Sequence, residues 1–235
     1  MKIFIGYEPR ETNAYLVACA SIRKYWPDAP IQPLILNRLR NRNLYTRPVR
    51  THDGQMFDEI SDAPMSTEFA VSRFLTPILA ESGLALFIDC DMLIRADLRE
   101  LFALADLDKA VMCVKHKHVP VSYSTKMDSQ IQTRYTRKNW SSVMLWNCDH
   151  LANKKLTLEL VNALSGRALH AFCWLEEELI GELGSEWNFL VGETSCNVDP
   201  KIVHFTNGIP SMPGYEQCEF SDEWRAILDT VLERL

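Results

Sequence analysis

The sequence predicts an α/β protein with an open, mixed but mostly parallel sheet flanked by helices. Two apolar runs, 84–88 and 110–115, are typical of buried strands, and a helical pattern over 98–104 lies between them. Asp97 stands directly before that helix, where a capping side chain is expected. A strand, a helix and a second strand in this order indicate a parallel sheet, which binds its ligands beyond the carboxyl ends of its strands.

The N-terminal part of the chain adds elements of the same kind. Residues 2–6 predict a first strand, Glu11 to Tyr25 have the apolar spacing of a helix, and residues 31–36 predict a second strand. Residues 37–64 are predicted to form a long polar connection with five arginines, either a functional or mobile loop or a solvated basic one. Ser66 or Thr67 then caps a helix predicted over 69–80.

The C-terminal part continues the alternation. Residues 116–138 are polar without a clear period, which fits a lid, an acceptor loop or a disordered excursion. Strands are predicted over 141–147 and 201–205, and helices over 157–166, 174–183 and 221–235. Because no repeat or linker divides the chain, we expect one domain over residues 1–235.

Composition excludes several classes of protein. The 25 Lys and Arg residues against 31 Asp and Glu give a formal charge of −6, which argues against a nucleic-acid-binding protein. The seven cysteines include no C-x-x-C pair and do not resemble a disulfide framework, so we expect reduced thiols and a cytoplasmic location. The first apolar stretch is too short for a signal peptide, and no run approaches a transmembrane span, which leaves peripheral membrane contact open.

Two acids at a strand end point to chemistry. Asp89 and Asp91 directly follow the apolar run 84–88, and residues two apart on an extended chain face the same side. Hard divalent cations such as Mg²⁺ and Mn²⁺ take carboxylate oxygens and leave positions for phosphate. The alternative is a pair of solvated strand-end acids. His204 ends the predicted strand 201–205, and its imidazole either completes a metal site with the two acids or has a structural role.

Five sequence blocks resemble those of glycosyltransferase family 8 and its bacterial relatives, which have the GT-A nucleotide-diphospho-sugar transferase fold. The blocks occur in the family's order: STEFAVSRFLTP, ALFIDCDMLIRADLRELF, RKNWSSVMLWN, LEEELIGELGSEWN and IVHFTNG. The resemblance spans roughly residues 1–210, and its most specific part is the Asp-x-Asp block. It implies a GT-A (Rossmann-like) fold and transfer of a hexose from a nucleotide sugar, expected to be UDP-linked, to an acceptor that the sequence does not identify.

The resemblance also implies roles for single residues. The metal ligands, for Mn²⁺ or Mg²⁺, would be Asp89, Asp91 and His204. The residues at the nucleotide or donor sugar would be Gly6, Tyr7, Arg73, Asp89 and Cys90. On the acceptor side it implies Trp140 and Ser141, for which core packing is the alternative.

The catalytic assignment rests on position alone. Glu176 and Glu177 fall where the family has an acidic segment near the reaction centre, so one of them is the predicted nucleophile or charge-stabilising group of a retaining reaction. A solvated helix face is the alternative, and a front-face reaction needs no enzymic nucleophile. The chain departs from the family's late His-x-x-Gly-x-x-Lys-Pro motif, because Asn207 replaces the Gly and Pro210 replaces the phosphate-binding Lys.

Other functions fit less well. A sugar-phosphate nucleotidyltransferase needs a glycine-rich phosphate loop after its first strand, and FIGYEPRE contains one glycine. Phosphatases that use Asp-x-Asp place Thr or Val at the fifth position, where this chain has Leu93. The non-enzyme alternative is a nucleotide-sugar-binding protein without turnover, which the missing late Lys keeps open.

Overall fold

The computed structural model describes residues 1–116, 125–126, 130–131, 137–194 and 197–234. The strands are β1 (Lys2–Gly6), β2 (Ile31–Leu34), β3 (Val49–His52), β4 (Gln55–Asp58), β5 (Ala63–Met65), β6 (Leu84–Ile88), β7 (Met92–Ile94), β8 (Val111–Cys113), β9 (Thr125–Lys126), β10 (Gln130–Ile131), β11 (Val143–Asn147), β12 (Ile180–Glu182), β13 (Phe189–Leu190) and β14 (Ile202–His204). The helices are α1 (Thr12–Tyr25), α2 (Leu36–Asn41), α3 (Thr76–Ala80), α4 (Leu98–Ala103), α5 (Leu158–Ala163), α6 (Gly166–His170) and α7 (Ser221–Leu232).

A six-stranded sheet organises the chain, in the order β12-β8-β11-β6-β1-β2. The pairs β1/β2, β1/β6 and β12/β8 are parallel, whereas β11 runs antiparallel to both of its neighbours. The central strand β6 is buried from Ala85 to Ile88, which explains its unbroken apolar sequence. The predicted α/β fold with an open, mostly parallel sheet is confirmed.

A second, smaller sheet lies at the carboxyl end of β6, in the order β13-β14-β7. A separate apolar core supports it, in which Val17 of α1 and Trp224 of α7 pack with Leu93 of β7 and Val203 of β14. Strands β7 and β14 are antiparallel, and their register places His204 opposite Met92. This pairing therefore brings the end of the late strand beside the Asp-x-Asp block.

The segment 37–64 is not the long connection that the sequence predicted. It contains α2 and two strands of the antiparallel sheet β3-β4-β5. Asp53 and Gly54 join β3 to β4 with positive φ angles of 49° and 78°, which suits a tight hairpin turn. The buried Arg47 guanidinium pairs with Asp58 of β4 and donates to the Val161 carbonyl of α5 at 3.0 Å. The small sheet is thus attached to the helical part of the fold.

The helix predicted over 174–183 is wrong. The chain forms a short 3-10 turn, Glu177–Leu179, and then the edge strand β12. Gly181 lies against β8, where a Cβ atom would approach Met112 Cγ to 2.6 Å. The helix predicted over 69–80 is shorter than expected, since a 3-10 turn at Ser72–Leu75 precedes α3.

Most of the segment 116–138, interpreted as a lid, an acceptor loop or a disordered excursion, lies outside the described residues. None of the helices in the described ranges combines the length and hydropathy that a bilayer span requires.

Candidate active site

Asp89 and Asp91 lie in the link between β6 and β7, at the carboxyl edge of the large sheet. The backbone holds both residues in place, because Asp89 N donates to the Ser142 carbonyl at 3.1 Å and Phe205 N donates to the Asp91 carbonyl at 3.0 Å. Each Asp is only 6% exposed. Burying two carboxylates this closely is costly without positive charge beside them.

His204 completes a compact group of three ligands. Its Nε2 atom lies 3.3 Å from Asp91 Oδ1 and 4.0 Å from Asp89 Oδ2. One ligand atom from each of the three residues lies within 4.8 Å of the other two. The structure therefore brings together the three residues that the sequence assigned to a metal.

Asn188 determines which nitrogen of His204 is available. The Asn188 amide nitrogen donates to the Asn139 carbonyl at 3.2 Å, so its Oδ1 atom faces His204 Nδ1 at 2.9 Å. Because Oδ1 only accepts, Nδ1 carries a proton, and Nε2 is the nitrogen that faces the two carboxylates and has the lone pair available to a cation. Three acceptor groups that face one another in a buried space fit a cation at their centre.

The chemistry of this donor set suits a divalent metal. Two carboxylate oxygens and one imidazole nitrogen match the preferences of Mn²⁺ and Mg²⁺ more closely than those of soft, thiolate-seeking ions. The hydrogen bond from His204 Nδ1 to Asn188 is of the kind that orients metal-bound histidines. The residues therefore fit a cation site in which the protein supplies a partial set of ligands.

Arg73 lies beside the three ligands. Its NH1 atom is 2.9 Å from Asp89 Oδ1 and donates to the Ser141 carbonyl at 2.9 Å. The guanidinium lies over the rings of Phe69 and Phe87, with 5.2 and 5.1 Å to the ring centroids. The contacts fix a permanent positive charge next to Asp89, and contact of Arg73 with a donor stays a prediction.

A cavity of about 340 Å³ opens onto this group. Arg73, Asp89, Asp91 and His204 line one part of it, and residues of β4, β5 and α6 line another. The volume is within the range of small-molecule sites. The cavity also lies beyond the carboxyl ends of β6 and β1, where the sequence predicted a ligand.

His170 is a half-buried cavity residue that the sequence did not single out. Its Nδ1 atom is 2.6 Å from Ser141 Oγ, and its ring meets Phe74 edge-on at 5.1 Å. Burial, with a smaller effect of the Arg73 charge, lowers the pKa of His170 to about 3. The imidazole is therefore neutral near pH 7, and it adds a polar but uncharged group to the cavity wall.

Gly6 and Tyr7 lie at the end of β1, near the cavity but not on its surface. Phe69, which lines the cavity, packs so closely over Gly6 that a Cβ atom there would lie 2.4 Å from Phe69 Cγ. The Tyr7 hydroxyl lies 3.1 Å from Thr12 Oγ1, and its ring is edge-on to Tyr15. The glycine is explained by this packing, and contact of both residues with a nucleotide stays a prediction.

The predicted acceptor residues lie behind the cavity wall. Trp140 is flanked by Lys115 and Arg137, whose charged groups are 5.5 and 5.1 Å from its ring centroid. Its indole nitrogen donates to the His116 carbonyl at 3.1 Å. Ser141 is buried and, through its hydroxyl and carbonyl, contacts His170 and Arg73. Their contact with an acceptor stays a prediction.

The predicted catalytic glutamates are not brought to the cavity. Glu177 is exposed and forms ion pairs with Lys115 at 3.4 Å and with Arg137. Glu176 directly precedes the turn Glu177–Leu179 and, like Glu177, does not line the cavity.

Cys90, predicted to bind the donor, is fully buried, and its thiol donates to a Glu11 carboxylate oxygen at 3.4 Å. The catalytic and donor-binding assignments of these residues stay predictions.

Local sequence patterns do not mark Asn188 or His170. Asn188 follows a 3-10 turn, Ser185–Trp187, and its partner His204 lies 16 residues further along the chain. His170 ends the short helix α6 and meets Ser141 from a distant part of the sequence. Only the tertiary structure reveals either contact.

Known proteins resemble the chain in sequence and in fold. No family model matches the sequence. Protein CDI of Arabidopsis thaliana is 45% identical over 231 residues, which cover 95% of this chain and 84% of that protein. Among solved structures, the bifunctional glycosyltransferase WbbM superposes with a TM-score of 0.61 at 14% identity. The superposition covers 100% of this chain and 51% of WbbM, so the chain spans about half the length of that protein.

Two further structures give the same result. Glycosyltransferase GlyE of Streptococcus pneumoniae has a TM-score of 0.58 at 11% identity, with 99% of this chain and 62% of GlyE covered. The galactosyltransferase LgtC, solved with donor and acceptor sugar analogues, has a TM-score of 0.57 at 13% identity, with 98% of this chain and 96% of LgtC covered. At these identities the likeness shows the fold. The chain belongs to the family of Arabidopsis thaliana Protein CDI, and its fold is the GT-A fold of glycosyltransferases.

Proposed function

We propose that this protein is a metal-dependent glycosyltransferase that moves a hexose from a nucleotide-diphosphate sugar, UDP-linked, to an acceptor, with retention at the anomeric carbon. The observation that supports the proposal most strongly is the group formed by Asp89, Asp91 and His204 at the edge of the cavity. The GT-A fold and the resemblance to glycosyltransferase family 8 agree with it.

The three ligands would hold Mn²⁺ or Mg²⁺. When bound, such an ion supplies positive charge that stabilises the departing nucleoside diphosphate. The same charge explains how a chain with a net charge of −6 accommodates an anionic donor.

The protein's own residues prepare the site around the donor. Asn188 orients His204 so that Nε2 faces the two carboxylates, and Arg73 presents a second positive charge beside Asp89. The side chains around the metal ligands are buried, and the low local dielectric strengthens these electrostatic contacts. A front-face reaction requires no enzymic nucleophile, which is consistent with the positions of Glu176 and Glu177 away from the cavity.

The alternatives differ in what they predict for turnover. A nucleotide-sugar-binding protein would bind the nucleotide with metal and transfer no sugar. A sugar-phosphate nucleotidyltransferase would release pyrophosphate from a nucleoside triphosphate and a sugar phosphate. The single glycine in the segment after β1 disfavours this second alternative.

The test is release of free nucleotide from UDP-, GDP-, ADP- and dTDP-sugars, with and without Mn²⁺. We expect metal-dependent release from a UDP-sugar by the wild type and none by the Asp91→Asn variant. That variant should fold, because its new amide can donate to His204 Nε2 in place of a bound cation. Equal release of nucleotide by the variant and the wild type, or release that does not depend on the metal, would refute the assignment of the metal ligands.

A further inference from the structure

The charges in the cavity do not balance with a donor bound. At the ligand group, two carboxylates, the Arg73 guanidinium and one divalent cation leave a single net positive charge, to which a metal-bound imidazole adds none. Of the other carboxylates on the cavity wall, Asp58 is paired with Arg47 and Asp62 is exposed. The diphosphate of a nucleotide sugar has two negative charges near pH 7. One more cation is needed at the diphosphate, and Pro210 occupies the position where the family has a lysine.

Arg167 is the available cation. Among the described residues that line the cavity, only Arg73 and Arg167 have permanently charged basic side chains, since His170 is neutral near pH 7. Arg73 is already in contact with Asp89 and Ser141. The Arg167 side chain is exposed, and within the described part of the chain it forms no hydrogen bond or ion pair.

The position of Arg167 on α6 directs it toward the same region as Arg73. Arg167 and His170 are three residues apart on this helix, a spacing that places their Cβ atoms about 5–6 Å apart on one face. Both residues line the cavity, and His170 is close enough to Arg73 for that charge to lower its pKa. A guanidinium has a long side chain, and its planar set of donors matches phosphate oxygens.

We propose that Arg167 contacts the diphosphate of the bound donor and supplies the positive charge that the family's late lysine provides elsewhere. This inference rests on the proposed function, because it requires a nucleotide diphosphate in the cavity. It also assigns α6 to the donor side of the site, together with the three metal ligands.

The experiment measures binding by calorimetry, with two probes in the presence of Mg²⁺: inorganic pyrophosphate, which has no base or sugar, and UDP. Arg167→Ala should weaken both probes about tenfold, as expected for a partly exposed charged contact. Arg167→Lys keeps the charge and should recover part of the affinity. Arg23→Ala is the matched control, because Arg23 is an exposed arginine of α1 that does not line the cavity, and it should change neither affinity.

The outcomes separate this inference from the proposed function. Wild-type binding of both probes that is unchanged in Arg167→Ala would overturn the role of Arg167 and leave the glycosyltransferase proposal intact. Weaker binding of UDP by Arg167→Ala while pyrophosphate binding is unaffected would place Arg167 at the nucleoside, which also overturns the inference. Failure of the wild type to bind either probe with any divalent metal would overturn both.

Discussion

Replacing Asn188 with leucine tests how the metal site is prepared. In the folded protein Asn188 is fully buried, accepts from His204 Nδ1 and donates to the Asn139 carbonyl. The leucine side chain is of similar size but has no polar atom, so the Nδ1 proton loses its acceptor and the imidazole loses its fixed tautomer. Loss of such an orienting partner lowers metal affinity about 10- to 100-fold. This corresponds to roughly 1.4–2.7 kcal/mol.

The same substitution should also reduce stability. Leaving the buried Nδ1 proton unpaired costs about 1–3 kcal/mol, which lowers Tm by roughly 2–12 °C in a chain of this size. The matched control is Asn153→Leu, because Asn153 is equally a buried amide but donates to the Ala110 and Asn147 carbonyls, at the other end of β11 from the cavity. It should lose stability and keep its metal affinity.

The assay is Mn²⁺ titration followed by electron paramagnetic resonance, with circular dichroism to verify folding. A folded Asn188→Leu protein that binds Mn²⁺ with wild-type affinity would refute the tautomer argument. Equal losses of affinity in Asn188→Leu and Asn153→Leu would assign the effect to general destabilisation instead.

Two further predictions concern stability. Arg47→Ala leaves Asp58 as a buried carboxylate without its cation and should lower the free energy of unfolding in urea by about 3–5 kcal/mol. The control Arg42→Ala, at an exposed arginine, should leave it almost unchanged. A decrease below about 1 kcal/mol in Arg47→Ala would contradict the role of this ion pair. The pKa of His170 is lowered to about 3 by burial and Arg73, so only the unfolded state gains a proton as pH falls below about 6.5. Stability should therefore decline from about pH 6.5 toward pH 3. The His170→Gln variant should show a smaller difference in Tm between pH 7 and pH 5 than the wild type. An equal difference in the two proteins would exclude His170 as a source of that decline.

The sequence was sufficient for the buried central strands of the large sheet and insufficient for its edge strand β12 and for its surroundings. The strands β1, β6 and β11 are buried, so their apolar runs identified them. The strands β3 and β4 are half exposed and rich in polar residues, and their region was mistaken for a loop. The Asp53-Gly54 pair, of a type favoured in two-residue hairpin turns, is the one local indication of these two strands.

The error over 174–183 has a different physical cause. Glu176, Glu177 and Glu178 beside leucines favour a helix by intrinsic propensity, but Gly181 and Gly184 weaken it. Parallel pairing of β12 with β8, as the edge strand of the large sheet, then determines the conformation. Helix propensity depends on the local sequence, and it contains no information on the unpaired edge of β8 with which this segment pairs.

The candidate site was predictable where chemistry is encoded in residue type. Asp89, Asp91 and His204 were recognised because acids at a strand end and a late histidine are unusual in apolar surroundings. Asn188 and Arg167 have ordinary local sequences, and their importance comes from distances that only the fold defines.

The most direct test of the account is the number of Mn²⁺ ions bound per chain, measured by electron paramagnetic resonance in the presence of UDP. Wild-type protein should bind one ion at the group formed by Asp89, Asp91 and His204, and the folded Asp91→Asn variant should bind it at least tenfold more weakly. Absence of Mn²⁺ and Mg²⁺ binding by the wild type, or equal affinity in the variant, would contradict the proposal that this group holds the cation of a glycosyltransferase.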